Sequence, residues 1–85
     1  MKYNESIEWF KIGKSSFDVG IHKDAIVAFN NAIGANPQNA DAYYYRGLAH
    51  GIVGNDDQAI IDVKVAARLD CKAAQEFLRR KRIEW

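Results

Sequence analysis

Displaced by 34 residues, the sequence falls on itself. Gly13 meets Gly47, Val19 meets Val53, Gly20 meets Gly54, Ala25 meets Ala59, Ile26 meets Ile60 and Ala32 meets Ala66, while Trp9 meets Tyr43 and Phe10 meets Tyr44. The placement of these matches matters more than their number. Small residues recur where two helices must approach closely, and aromatic residues recur where space must be filled. A unit of this length cannot bury its apolar face alone and completes its core only against a neighbour. In a chain of 85 residues the repeat therefore limits the fold to a short stack of like units.

Within each unit the spacing is helical. Trp9, Ile12, Gly13, Ser16 and Phe17 lie three and four residues apart, which puts them on one face of a first helix. Asn4 is a candidate cap for its start, and Gly20 ends it by accepting the left-handed conformation beyond a helix terminus. A second helix runs from about His22 to Gly34 with Ala25, Ile26, Phe29, Ala32 and Ile33 turned inward, and Asn36-Pro37 stops it, since a residue before proline is pushed out of helical geometry. Asn39 is the candidate cap of a third helix from about Ala40 to Val53. Gly54-Asn55 makes the next turn, and Asp56 is the candidate cap of a fourth helix reaching Leu69. A fifth, from about Lys72 to near the end, carries Ala74, Phe77, Leu78 and Trp85 on roughly one side.

This is an all-α reading, and composition agrees with it. Hydrophobic residues make up 48% and charged residues 27% of the chain, values of a folded domain rather than a disordered one. No stretch approaches the ~20 apolar residues of a membrane span. Met1 to Glu5 lack a secretory pattern, and a lone Cys71 forms no internal disulfide; together these point to the cytoplasm. Charge is uneven. Residues 1–70 hold seven Lys/Arg against nine Asp/Glu, and residues 71–85 hold five against two.

The repeated pattern resembles the tetratricopeptide repeat, whose 34-residue signature runs Trp-x2-Leu-Gly-x2-Tyr, then Ala-x3-Phe, then Pro. The first copy reads Trp9, Ile12, Gly13 and Ser16, then Ala25 and Phe29, then Pro37. The second reads Tyr43, Arg46, Gly47 and His50, then Ala59 and Val63, then Cys71, departing at Arg46, His50, Val63 and Cys71. The resemblance implies an α–α superhelix of helical hairpins in one domain over residues 1–85. Repeat one covers about 6–39, repeat two about 40–73, and a capping helix about 72–85.

It also implies a function, that of a protein-binding adaptor or scaffold. In proteins of this family the first helix of each repeat lines a concave groove that takes a peptide or a partner helix. The positions matching that groove are Ile7, Phe10, Lys11, Lys14, Phe17 and Asp18 on the first helix, Asp41, Tyr44, Tyr45, Leu48 and Ile52 on the third, and Gln75, Leu78, Arg79 and Arg82 on the fifth. Trp9 and Tyr43 are expected in the hairpin cores instead. An exposed aromatic patch of Phe10, Phe17, Tyr44 and Tyr45 suits a binding surface, and Lys11, Lys14, Arg79 and Arg82 would rim it with positive charge. The expected partner is a protein or peptide segment, apolar with acidic flanks. Tetratricopeptide clamps for the C-terminal carboxylate of heat-shock chaperones use Lys, Asn and Arg at places that hold Phe10, Lys14, Tyr45, Gln75 and Arg79 here. Only Arg79 fits, so that partner is not expected.

Other chemistry finds little footing. His22 and His50 stand apart with no ligand set around them, and Asp56, Asp57 and Asp62 lack the loop of a cation site. The glycines follow the repeat and make no phosphate loop. No nucleophile–base pair or paired carboxylates suggest an enzyme, and no cofactor is expected. Arg79-Arg80-Lys81-Arg82 spread around a helix and suit its C-terminus, so nucleic-acid binding ranks below protein binding. Because two repeats fall short of the three usually needed for stability, self-association into a homodimer is the alternative reading.

Overall fold

A computed structural model describes residues 2–85; Met1, included in the single-domain expectation, lies outside the described residues. The described residues form helices α1 (Lys2–Asp18), α2 (His22–Ala35), α3 (Ala40–Ile52), α4 (Asp56–Arg68) and α5 (Lys72–Lys81). α1 packs on α2 and α3 on α4 as hairpins. α2 and α3 form the seam between the two pairs, α5 covers α4, and α1 touches α3 along a narrower line. The fold is the all-α stack of helical hairpins that the sequence implies.

The chain turns by one device used four times among the described residues. After α1, Gly20 (φ +88°) donates its N–H to the Phe17 carbonyl, and Ile21 reaches back to that of Ser16. Gly54 (φ +93°) with Asn55, Asp70 (φ +69°) with Cys71, and Arg82 (φ +58°) with Ile83 repeat the same pair of bonds after α3, α4 and α5. This is the Schellman arrangement, in which a left-handed residue lets two carbonyls of the last turn find donors. Only α2 ends differently, at Asn36 in extended geometry ahead of Pro37. The end of α5 differs from the sequence expectation for this reason. Arg82 leaves the helix, Ile83 packs against the core in the place foreseen for Trp85, and Trp85 lies outside, its carbonyl accepting from Arg68 Nε at 2.9 Å.

Close approach fixes the hairpins. A Cβ on Gly13 would stand 2.5 Å from Cε1 of the fully buried Phe29 ring, and one on Gly47 would stand 3.0 Å from the Ala59 carbonyl oxygen. Ala25, Ala28, Ala32, Ala42, Ala49, Ala66 and Ala67 line the remaining seams. Two polar ties then set the order of the layers. Ser6, fully buried, donates from Oγ to the Ala32 carbonyl at 2.6 Å and accepts from Asn39 Nδ2 at 2.9 Å, while Asn39 Oδ1 caps α3 by accepting from the Ala42 N–H at 3.1 Å. Arg46 forks onto Asp62, with Nε to Oδ2 at 2.8 Å and Nη2 to Oδ1 at 2.7 Å, and its Nη1 donates to Asn30 Oδ1 at 3.0 Å. Gln58 Nε2 gives Asp62 a further donor. The Arg46 guanidinium is held even more firmly protonated by its bonds to Asp62. This residue, a departure from the family pattern, links α2, α3 and α4.

Three local expectations change. α1 already runs at Lys2, so Asn4 sits inside it and caps nothing. Asn55 precedes α4, and Asp56 and Asp57 occupy its first turn, where their charge favours the positive end of the helix dipole. Trp9, foreseen in the core, is 39% exposed, and Ile12 is 52% exposed. Trp9 lies at the edge of α2, beside Asn30, Asn31, Gly34 and Ala35, which leave its ring partly open, whereas Tyr43 packs against the α4–α5 cluster and Arg46 bonds to α2 and α4.

Gly13→Ala is expected to lose about 1–3 kcal/mol through overpacking against Phe29, read as a lower urea midpoint at unchanged slope. Arg46→Leu leaves Asp62 (1% exposed) without its cation and is expected to cost about 3–5 kcal/mol, whereas Arg46→Leu combined with Asp62→Leu returns close to the parent. Arg82→Gly relieves a left-handed side-chain residue and is expected to gain about 1 kcal/mol in the same assay.

Candidate partner-binding groove

Aromatic rings join α1 to α3, and a cleft lies between α3 and α5. Tyr45 is the hub. Its ring meets Phe17 edge-on at 5.5 Å between centroids, Phe10 at 5.7 Å, Tyr44 at 5.4 Å and the buried Phe29 at 6.2 Å. The Lys14 ammonium stands 5.1 Å from the Tyr45 centroid, a cation–π distance. The four aromatic residues singled out from the sequence thus form one continuous half-buried row, closed at one end by His22 against Phe17 at 5.3 Å. Edge-to-face contacts of this kind add to the area term, so part of the row's surface serves the fold.

The charged rim is less free than its residues suggest. Lys11 pairs with Glu8 at 3.6 Å and Lys14 with Asp18 at 3.0 Å. The Lys14 ammonium is held more firmly protonated, first by its hydrogen bond to Asp18. Arg79 bonds to Glu76, and Arg80 lies 3.4 Å from the same carboxylate. The Tyr44 phenol is pushed above its ordinary range, chiefly by burial.

α5 corrects the expected groove list. Leu78 is fully buried in the cluster with Val63, Ala66, Ala67, Cys71 and Ala74, and Gln75 donates to the Ala67 carbonyl at 3.0 Å. The α5 residues that face Tyr44 are Ala73, Glu76, Phe77 and Arg80, which enclose a cleft of about 160 Å³ with it. The lining register is therefore turned from the one carried over, and Arg82 is the left-handed cap beyond the helix. Ala74 and Leu78, four apart, mark the buried stripe of α5 in the sequence, and that spacing could have placed Leu78 inward. On α3, Leu48 is half-buried and Ile52 exposed, as is Ile7 on α1. Cys71 is buried, its thiol 3.9 Å from Asp41 Oδ1 and pushed above its ordinary range by desolvation. Among the described residues no group of three or more His, Cys, Asp or Glu is placed to hold a metal, and no helix is long and apolar enough to cross a membrane.

A stack of helical hairpins with an aromatic free face defines a repeat module, and the comparisons name which. The family model of the TPR repeat matches residues 13–60. A mouse protein (Mus musculus), "Tetratricopeptide repeat protein 14", is 33% identical over 70 residues, covering 78% of this chain. The chain belongs to the tetratricopeptide-repeat family. It spans 9% of the length of that mouse relative.

Because Tyr45 rests on Phe29, Tyr45→Ala is expected to cost stability as well as surface, about 2–4 kcal/mol for a half-buried ring. Tyr45→Phe keeps the ring contacts and is expected within about 1 kcal/mol of the parent. Thermal melts of the two variants check this.

Proposed function

We propose that the chain is a protein-binding adaptor module whose α1–α3–α5 face takes a peptide or helix of another protein. Membership of the tetratricopeptide-repeat family supports the general reading, since such repeats serve protein–protein interaction. The single observation that carries the particular one is the row Phe10, Phe17, Tyr45 and Tyr44, which places four aromatic rings side by side at a partly open surface. Tyr and Phe offer large contact area with few rotors to freeze, and the half-buried row keeps part of each ring open to a partner. Lys14 stands over Tyr45 and Arg80 stands beside Tyr44, and a segment with apolar side chains and acidic flanks matches the row. Leu48 and Ile52 extend the apolar surface along α3. The domain reading is one module over residues 1–85, two hairpin repeats closed by α5, working as an adaptor in the cytoplasm.

A second reading is favoured by the uncovered face of α1. Trp9 and Ile12 are large, apolar and exposed, and the same face on a second copy would cover them in a two-fold contact.

Tyr44 rests on the α4–α5 cluster, so binding by Tyr44→Ala is read together with its circular dichroism. Partners captured by the intact chain and identified by mass spectrometry are expected to be lost by Tyr44→Ala at unchanged helicity; retention of every partner would refute the groove. Light scattering behind size exclusion separates the second reading. A mass of two chains that Ile12→Glu reduces to one would favour self-association through α1.

A further inference from the structure

The cleft between α3 and α5 differs from the rest of the groove in shape and in charge. The half-buried Tyr44 and Phe77 line it with Glu76, and the exposed Ala73 and Arg80 complete the lining. At about 160 Å³ it is well below the roughly 300–1,000 Å³ of sites that enclose a small molecule, and its size matches a single large side chain. Tyr44 is already braced edge-on by Tyr45 at 5.4 Å, which keeps its wall in place before anything binds. The Lys81 ammonium lies 5.7 Å from the Phe77 centroid and holds that ring from its own helix.

The charge around the cleft is unbalanced. One carboxylate, Glu76, serves both Arg79 and Arg80, and Lys81 adds a third cation beside Phe77. The residues from 71 to 85 hold five Lys/Arg against two Glu. A guanidinium that shares its carboxylate keeps donors free, and charge-assisted bonds from such donors are the strong ones. The surface therefore favours a partner that brings carboxylates of its own. A nucleic-acid strand fits less well. Tyr44 offers an edge-braced wall rather than a row of open faces for successive bases, and the few cations here are short of the contacts that hold a phosphate backbone tightly.

We infer that the α3–α5 cleft is an anchor pocket for an extended acidic peptide segment, taking one large apolar side chain between Tyr44 and Phe77 while the flanking carboxylates bind Arg80 and Arg79 in competition with Glu76. This deepens the groove reading above and rests on it. Glu76 then acts as an internal competitor that sets how acidic a segment must be to bind.

The test is selection of random twelve-residue peptides on the immobilised chain, followed by titration of the enriched sequences by fluorescence anisotropy. Enriched peptides are expected to be acidic and to contain one large apolar residue, and to lose about tenfold in affinity, the order of one charged contact, on Arg80→Glu and on Phe77→Ala. Glu76→Gln is expected to tighten the same peptides. Arg80→Glu alters an exposed side chain, so it remains decisive even if Phe77→Ala fails to fold. Neutral or basic winners, indifference to Arg80→Glu, or weaker binding by Glu76→Gln would overturn the pocket. Winners that ignore the α5 variants but are lost on Tyr44→Ala and Lys14→Glu would overturn the pocket and leave the groove standing. Winners indifferent to all of these, or no enrichment at all, would remove both, and tighter binding of an oligouridylate than of any peptide would overturn the pocket in favour of nucleic acid.

Discussion

The Ser6 hydroxyl holds the two hairpins in register. It sits fully inside the protein between the Ala32 carbonyl and the Asn39 amide, and so ties the start of α1 to the end of α2 and to the residue that begins α3. A buried polar group without partners is expensive; here donor and acceptor are both used. Asn39 performs two tasks at once, because its other side-chain atom caps α3. Once that junction is set, α3 has one place to lie along α2, and Arg46 comes within reach of Asn30 and Asp62. The aromatic row follows from the same placement, since Tyr45 meets Phe10 and Phe17 only when α3 runs beside α1.

Much of this was legible in the sequence, for reasons that can be named. The helix limits were written in Gly20, Asn36-Pro37, Asn39 and Gly54, because left-handed backbone, proline sterics and side-chain caps are local effects. The inward stripe of α2 was equally plain. The Arg46–Asp62 fork was not, because it joins residues sixteen apart on different helices, and Arg46 read only as a break in the pattern. Trp9 was misplaced for a different reason. Its counterpart Tyr43 packs against the α4–α5 cluster, and position within a repeat does not say how fully the neighbours close over a ring.

The candidate groove was partly readable in the same way. Phe10, Phe17, Tyr44 and Tyr45 were grouped by the family resemblance, and the structure brings their rings together around Tyr45 because α1 and α3 share a period. On α5 that transfer failed. The helix follows a left-handed Asp70 and opens at Cys71 in place of proline, and its own Ala74–Leu78 stripe, not the family register, decides which side goes inward. A cap helix obeys the surface it covers rather than the repeat it follows. The pairing of Lys11, Lys14 and Arg79 with nearby acids also lay beyond a residue count, and it turns an apparently basic rim into one whose spare charge gathers at α5.

The two ends of the stack are not equivalent. α5 seals one, with Leu78 sunk beneath it, while α1 leaves Trp9 and Ile12 facing outward at the other. Among the described residues α1 buries only the small Ser6 and Gly13, whereas α5 sinks the whole Leu78 side chain. Local opening is cheapest where the least apolar surface is buried, so amide exchange runs faster along α1 than its length suggests.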